Sequence, residues 1–184
     1  MEEIETSRLV LRRPLPGDVV PLAEINADPE VMKYIGDGRV RTFEETAEGI
    51  SRAIRQWDEH GYGIFSVDRR DTGEFIGWVA LAVPSFLPEV LPAVEIGWRL
   101  ARRHWGRGFA TEAAREALRF GFESRGFDPI LSIRDVDNDA SRRVMEKLGL
   151  HFDFQTTVPS HGQRVAVHSI SRAEFHDHGN SARV

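Results

Sequence analysis

Between residues 103 and 111 the chain reads Arg-His-Trp-Gly-Arg-Gly-Phe-Ala-Thr, an Arg-x-x-Gly-x-Gly spacing followed at once by helix-forming residues. Glycines at 106 and 108 let backbone amides turn toward a ligand without obstruction, and a helix start adds free N–H groups and the positive end of its dipole. A pyrophosphate fits such a nest, with Arg103 or Arg107 adding ionic hydrogen bonds and Thr111 a hydroxyl. Arg99, Arg102, Arg103 and Arg107 fall within nine positions, which concentrates positive charge beside the turn. Two other readings stay open on spacing alone. One is a glycine-bearing loop that merely begins a helix; the other is a dinucleotide fingerprint, weakened because Thr111 stands where the third glycine of Gly-x-Gly-x-x-Gly belongs.

The elements around the turn are legible from periodicity. In the strand expected over 93–100, Val94, Ile96, Trp98 and Leu100 share one face and Glu95, Gly97 and Arg99 the other. A carboxylate beside a glycine, opposite an apolar stripe, marks a cleft or a solvated surface. After Gly108, Ala110, Ala113, Ala114, Ala117, Leu118 and Gly121 form a narrow small-residue face, which lets a helix lie close to a sheet. Upstream, residues 7–13 read as a first strand, with Asp18 as N-cap of a short helix to Asn26. Thr42 and Glu45 make a capping box for a helix closed by His60-Gly61. Strands are expected at 62–68, 74–83 and 130–133, a helix over 138–148, and a closing hairpin at 151–158 and 165–171. The order implies a mixed, mostly antiparallel α/β sheet of about six or seven strands with one parallel pair joined by a right-handed crossover. Residues 1–176 read as one domain and 177–184 as a flexible tail.

Composition removes several classes. The chain of 184 residues has no cysteine, which excludes disulfides, thiolate metal sites and a cysteine nucleophile. Its net charge of −5 argues against nucleic acid as a partner, and no apolar run is long enough to cross a membrane. Residues 1–60 hold 13 acidic and 8 basic side chains, an acidic rim suited to cationic amines. Seven histidines are scattered without metal-ligand spacing, so no metal is expected. An acidic N-terminus unlike a targeting peptide leads to a cytoplasmic expectation.

The stretch VEIGWRLARRHWGRGFATEA resembles the acetyl-CoA-binding core of the GNAT superfamily of N-acetyltransferases, and its tryptophan and TEA ending resemble the RimJ/RimL branch. ETSRLVLRRP near the start resembles that branch's opening strand. Asn138-Asp139-Ala140-Ser141 with Glu146-Lys147-Leu148-Gly149-Leu150 resembles its N-x-x-S … E-K-L-G-F segment, with Leu150 in place of phenylalanine. The resemblance implies a splayed parallel pair, with the pantetheine arm of acetyl-CoA bonded to backbone around Trp98, Arg99 and Leu100. Pyrophosphate would rest on the turn formed by Arg103, Trp105, Gly106, Arg107, Gly108, Phe109, Ala110 and Thr111. It implies Glu95 as general base, Ser141 bonded to the sulfur or a water, and Asn138 as N-cap and contact of the arm. The acceptor would be a primary amine on a peptide N-terminus or a small molecule, met by the 1–60 segment and the 84–92 loop. A homodimer stays open, as do a catalytically silent acyl-CoA-binding module and a nucleotide-dependent oxidoreductase.

Overall fold

The computed structural model describes residues 3–181. The chain runs β1 (Ile4–Glu5), β2 (Leu9–Arg12), α1 (Val19–Asn26), α2 (Pro29–Met32), α3 (Phe43–His60), β3 (Ile64–Arg69), β4 (Phe75–Ala82), β5 (Val94–Leu100), α4 (Phe109–Ser124), β6 (Ile130–Asp135), α5 (Asp139–Leu148), β7 (His151–Thr157), β8 (Arg164–Ile170) and α6 (Arg172–Ser181). All eight strands join one sheet in the order β1-β2-β3-β4-β5-β6-β8-β7. The count exceeds the expected six or seven because Ile4–Glu5 adds a short edge strand against β2.

Every neighbouring pair is antiparallel except β5 and β6, which pair only at Val94↔Ile130 and Glu95↔Leu131. Beyond Glu95 the two strands part, while β5 stays paired to β4 as far as Leu100 and β6 to β8 as far as Asp135. The sheet therefore contains a wedge that is closed at Glu95 and opens toward the strands' C-terminal ends.

Helix α4 spans this break. Its alanine face is buried, and a Cβ on Gly121 would meet Ile130 Cδ1 of β6 at 2.8 Å and Leu81 Cδ1 of β4 at 3.1 Å. A residue with a side chain at 121 would push the helix off both halves of the sheet. Met145 and Leu148 of α5 and Phe175 of α6 complete this core. On the opposite face, Leu22 and Ile25 of α1 and Ile50 of α3 pack with Phe75, Ala101 and Trp78. The α3 capping box forms as expected, Glu45 N–H donating to Thr42 Oγ1 (3.1 Å) and Thr42 N–H to Glu45 Oε2 (2.8 Å).

Two local expectations are corrected. Asp18 makes no side-chain cap for α1. It is buried, and its carboxylate takes both Arg12 Nη atoms, the Ser66 hydroxyl and Leu15 N–H, because a buried charge needs several donors. The tail expected from residue 177 is helical through Ser181, where Phe175 anchors α6 in the core and the His178 ring lies against Lys147 O at 3.1 Å. The rest of that expected tail, residues 182–184, lies outside the described residues.

The N-terminal segment clasps the start of α4. Glu112 accepts from the Thr6 hydroxyl (2.5 Å), the Ser7 hydroxyl (3.0 Å), Arg8 N–H (3.0 Å) and Arg8 Nε (2.6 Å). Arg8 Nη1 also donates to Arg107 O at 2.9 Å. Burial alone would raise the Glu112 carboxyl, but the bonds from Thr6, Arg8 and Ser7 outweigh it and hold the group below its ordinary range. Glu112→Ala is expected to destabilise the protein by ~1–3 kcal/mol near neutral pH. The loss should fade in acid as the wild-type carboxylate is itself protonated, since a group with a depressed folded pKa gives up its contribution as pH falls through that pKa. Thermal unfolding of both proteins from pH 7 down to pH 3 measures this.

Candidate active site

Glu95 occupies the last paired position before the wedge opens, where its neighbours across the sheet are Leu131 and Ala82. Its carboxylate is half-buried and, among the described residues, makes no hydrogen bond or ion pair. Desolvation without compensation pushes it up to about 8 from an ordinary value of 4.5. The alternation read from the sequence holds: Val94, Ile96 and Leu100 are buried on the α4 side, Trp98 packs on the same core, and Glu95, Gly97 and Arg99 take the other face. The cleft reading, rather than the solvated one, fits Glu95.

The turn beyond β5 is built from two left-handed glycines, Gly106 at φ 71° and Gly108 at φ 81°. Gly108 is the N-cap of α4, and this helix, unlike α3 and α5, has no side-chain cap. The N–H groups of Phe109, Ala110 and Thr111 therefore lack an intrahelical or side-chain partner, which is the arrangement that receives an anion. The Thr111 hydroxyl is half-exposed and has no partner among the described residues. Phe109 sends its ring into the core, where Arg8 and Arg107 lie 4.6 and 5.8 Å from its centroid. Trp105 donates its indole N–H to Leu100 O (2.8 Å), folding the turn back onto the strand.

Arg103 departs from expectation. Its guanidinium bonds Glu74 through Nε (3.0 Å) and Nη2 (2.8 Å), and His104 shares that carboxylate. Arg107 forms no ion pair among the described residues and is the free cation of the turn. Ala101 N–H pairs with Ile76 O of β4, so the backbones of Trp98 and Leu100 face the wedge, with Leu100 O taken by Trp105.

Helix α5 begins at the wide end of the wedge. Asn138 caps it, accepting from Ser141 N–H at 3.0 Å. The capping duty belongs to Asn138, so among the described residues the Ser141 hydroxyl remains unengaged on the inward face with Val144, Met145 and Leu148. One contact was not foreseen: Ser132 of β6 donates its hydroxyl to Ile96 O at 2.8 Å, bridging the strands just past their last pair.

The Arg99 side chain follows the expected alternation and sits on the face of Glu95 and Gly97. It leaves the α4 side altogether, stacking 5.0 Å from the Trp78 ring and donating Nη1 to Asn26 Oδ1 at 2.6 Å. Asn26 is fixed in turn by Thr46 Oγ1 (3.0 Å). On the same face Gln163 of the β7–β8 hairpin donates to Tyr34 O (3.2 Å) and Asp135 Oδ2 (3.0 Å), which ties the 33–41 segment across the sheet. Among the described residues no group of three His, Asp or Glu could hold a metal ion, and no helix is long and apolar enough to cross a membrane.

Comparison with known proteins agrees with this geometry. The acetyltransferase (GNAT) domain matches residues 8–151. The chain is 41% identical over 128 residues to the uncharacterized protein YkkB of Bacillus subtilis, covering 68% of this chain and 70% of YkkB. It is 32% identical over 171 residues to FsC-acetyl coenzyme A-N(2)-transacetylase of Aspergillus fumigatus, covering 83% and 68%. Its fold is similar to that of RimL, the ribosomal L7/L12 alpha-N-protein acetyltransferase in complex with coenzyme A, with a TM-score of 0.75, 16% identity and coverage of 92% and 98%. A wedge in a mixed sheet, an uncapped helix behind a Gly-x-Gly turn, and a domain match over most of the sequence agree: the chain belongs to the GNAT family of acetyltransferases.

Proposed function

We propose that this protein transfers an acetyl group from acetyl-CoA directly to a primary amine, on a peptide N-terminus or a small molecule, with Glu95 as general base. The observation that carries the reading is the lone Glu95 carboxylate, at the closed end of the wedge and pushed up to about 8. The names of two relatives, RimL with its alpha-N-protein acceptor and the Aspergillus enzyme with its N(2) acceptor, support an amine as the class.

The residues present fit the donor. Gly106 has no atom within 4 Å of where a Cβ would stand, and the amides after Gly108 lack partners, so a pyrophosphate has both room and donors. Arg107 and Thr111 supply charge and a hydroxyl beside them. The Trp98 backbone and the Leu100 N–H face the wedge and offer groups to an extended arm. When bound, acetyl-CoA supplies an activated thioester carbonyl. The absence of cysteine favours direct transfer over an acyl-enzyme.

Glu95 accepts the proton that the acceptor nitrogen must lose. A base near 8 is matched to an α-amino group of pKa ~8, so the transfer is close to balanced in free energy. Backbone N–H groups along the parted strand stabilise charge at the carbonyl oxygen. Ser141 donates its unengaged hydroxyl toward the leaving sulfur, and Asn138 holds the start of α5 in place beside it.

Gly108→Val should weaken acetyl-CoA binding by ~10–100-fold through loss of the turn's amide contacts. Valine at φ 81° should also cost ~1–2 kcal/mol of stability. Calorimetric titration of the folded variant with acetyl-CoA measures the first effect, and an unchanged affinity would reduce the turn to a helix start.

Glu95→Gln is expected to keep CoA affinity and lower kcat by ~10²–10⁴-fold near neutral pH. In the wild type, kcat should rise with pH through about 8 as the carboxylate ionises, and the variant's deficit should shrink as the acceptor amine becomes neutral unaided. A variant with wild-type turnover at pH 7 would remove Glu95 from the chemistry.

Stability reads the same group without any substrate. The folded protein retains a proton on Glu95 that the unfolded chain releases near 4.5, so its contribution to stability falls as pH rises from about 4.5 to about 8. The melting temperature of Glu95→Gln should therefore gain on wild type across that window and level off above it.

A further inference from the structure

Glu95 and Arg99 stand on one face of β5, with Gly97 between them. Nothing comes closer than the Trp78 ring, 4.0 Å from the position a Gly97 Cβ would take, so a trough runs along the strand from the carboxylate to the guanidinium. The pyrophosphate turn lies at the start of α4, which packs on the other face of the sheet.

Arg99 is held as a ligand-binding cation is held. Trp78 supports its plane, and Asn26, itself fixed by Thr46, takes one Nη1 proton. The other donors are not matched: Nε is buried with no partner, and among the described residues no carboxylate pairs with this side chain. The charge that acts on it is of the same sign, Arg41 of the 33–41 segment, and burial together with Arg41 lowers Arg99 to about 10. Arg41 in turn lies 3.5 Å from Asp37 and is felt by Glu45, neither of which pairs with Arg99. A buried cation without a counterion, facing a second cation, is costly unless an anion completes it.

Resting on the assignment of Glu95 as base, we propose that the acceptor is an amine that also carries a carboxylate, bound with its amine at Glu95 and its carboxylate on Arg99, with Arg41 at the rim. This departs from the acidic rim read from the composition of residues 1–60: the charge facing Gly97 is positive, and it selects an amino-acid-like or short peptide-like acceptor over a polyamine. The carboxylate takes Arg99 Nε and the remaining Nη in the two-pronged geometry for which a guanidinium is suited.

The test compares pairs of acceptors that differ only in charge. A series of ω-amino acids and dipeptides is set against the corresponding primary amides, with binding to the protein–CoA complex by calorimetry and turnover by thiol release. The wild type should favour the acid over its amide by ~10–100-fold, mainly in KM. Arg99→Gln should bring the ratio close to one by raising KM for the acid, and Arg99→Lys should restore only part of it because lysine lacks the fork. Equal binding of acids and amides by the wild type overturns the proposal, whatever the variants do. So does an undiminished preference in a folded Arg99→Gln. Preferential binding of acids without thiol release from any acceptor would leave the Arg99 site standing and would instead defeat the transferase reading of Glu95.

Discussion

Two residue pairs, Val94 with Ile130 and Glu95 with Leu131, are the whole of the backbone pairing between the N-terminal five strands and the C-terminal three. Past them, both strands carry peptide groups that no neighbouring strand satisfies, whereas the other ladders, though shifted once each in β3–β4 and β7–β8, run on along their strands. An interior break of this kind would be a defect in a protein that bound nothing there. It persists because α4 bridges the gap from one side, Gly121 lying against both Ile130 and Leu81, and because Ser132 closes the apex with one hydroxyl. The wedge thus has a floor, an apex and an open mouth. Each candidate group is placed by its position along it: Glu95 at the apex, the glycine turn and the start of α5 at the mouth.

Electrostatics divides the two faces of β5. On the α4 side the positive elements are backbone amides and Arg107, suited to phosphate groups that arrive with their own charge. On the other side Arg99 is a single desolvated cation, and Glu95 a single desolvated acid, with only Gly97 between them. Both are displaced toward neutrality by burial, and neither neutralises the other. That separation of unpaired opposite charges on one strand is maintained by packing, chiefly Trp78 and the Asn26–Thr46 pair, rather than by the ionic partners that most arginines of this chain have found.

Much of this was legible in the sequence. The elements are set by short-range chemistry, such as the Thr42–Glu45 box, the small face after Gly108 and the alternation in 93–100, and each formed where its pattern lay. What was not legible depends on partners far along the chain. Arg103 was assigned to phosphate because it stood beside the glycines, but its partner Glu74 is 29 positions away. The sequence puts the Arg99 side chain on the Glu95 face, but only the fold brings it to Asn26, 73 positions upstream. Asp18 carries the local signal of a cap, which its own burial beside Arg12 and Ser66 overrides. The resemblance located the ETSRL and TEA segments separately, and nothing in either shows that one grips the other.

That grip has a consequence for how the protein is made. Thr6, Ser7 and Arg8 meet Glu112 across more than a hundred residues, 104 in the case of the Arg8 amide. During synthesis the first strand can pair with β3, but Thr6, Ser7 and Arg8 lack this partner until the start of α4 has left the ribosome. The turn, whose Arg107 carbonyl is pinned by Arg8, acquires its final form only when the two ends of that span close. A nascent chain ending anywhere before residue 112 holds the opening strand but no clasp for it. The glycine turn is therefore a late product of folding, and its final form reports that the chain has emerged as far as α4.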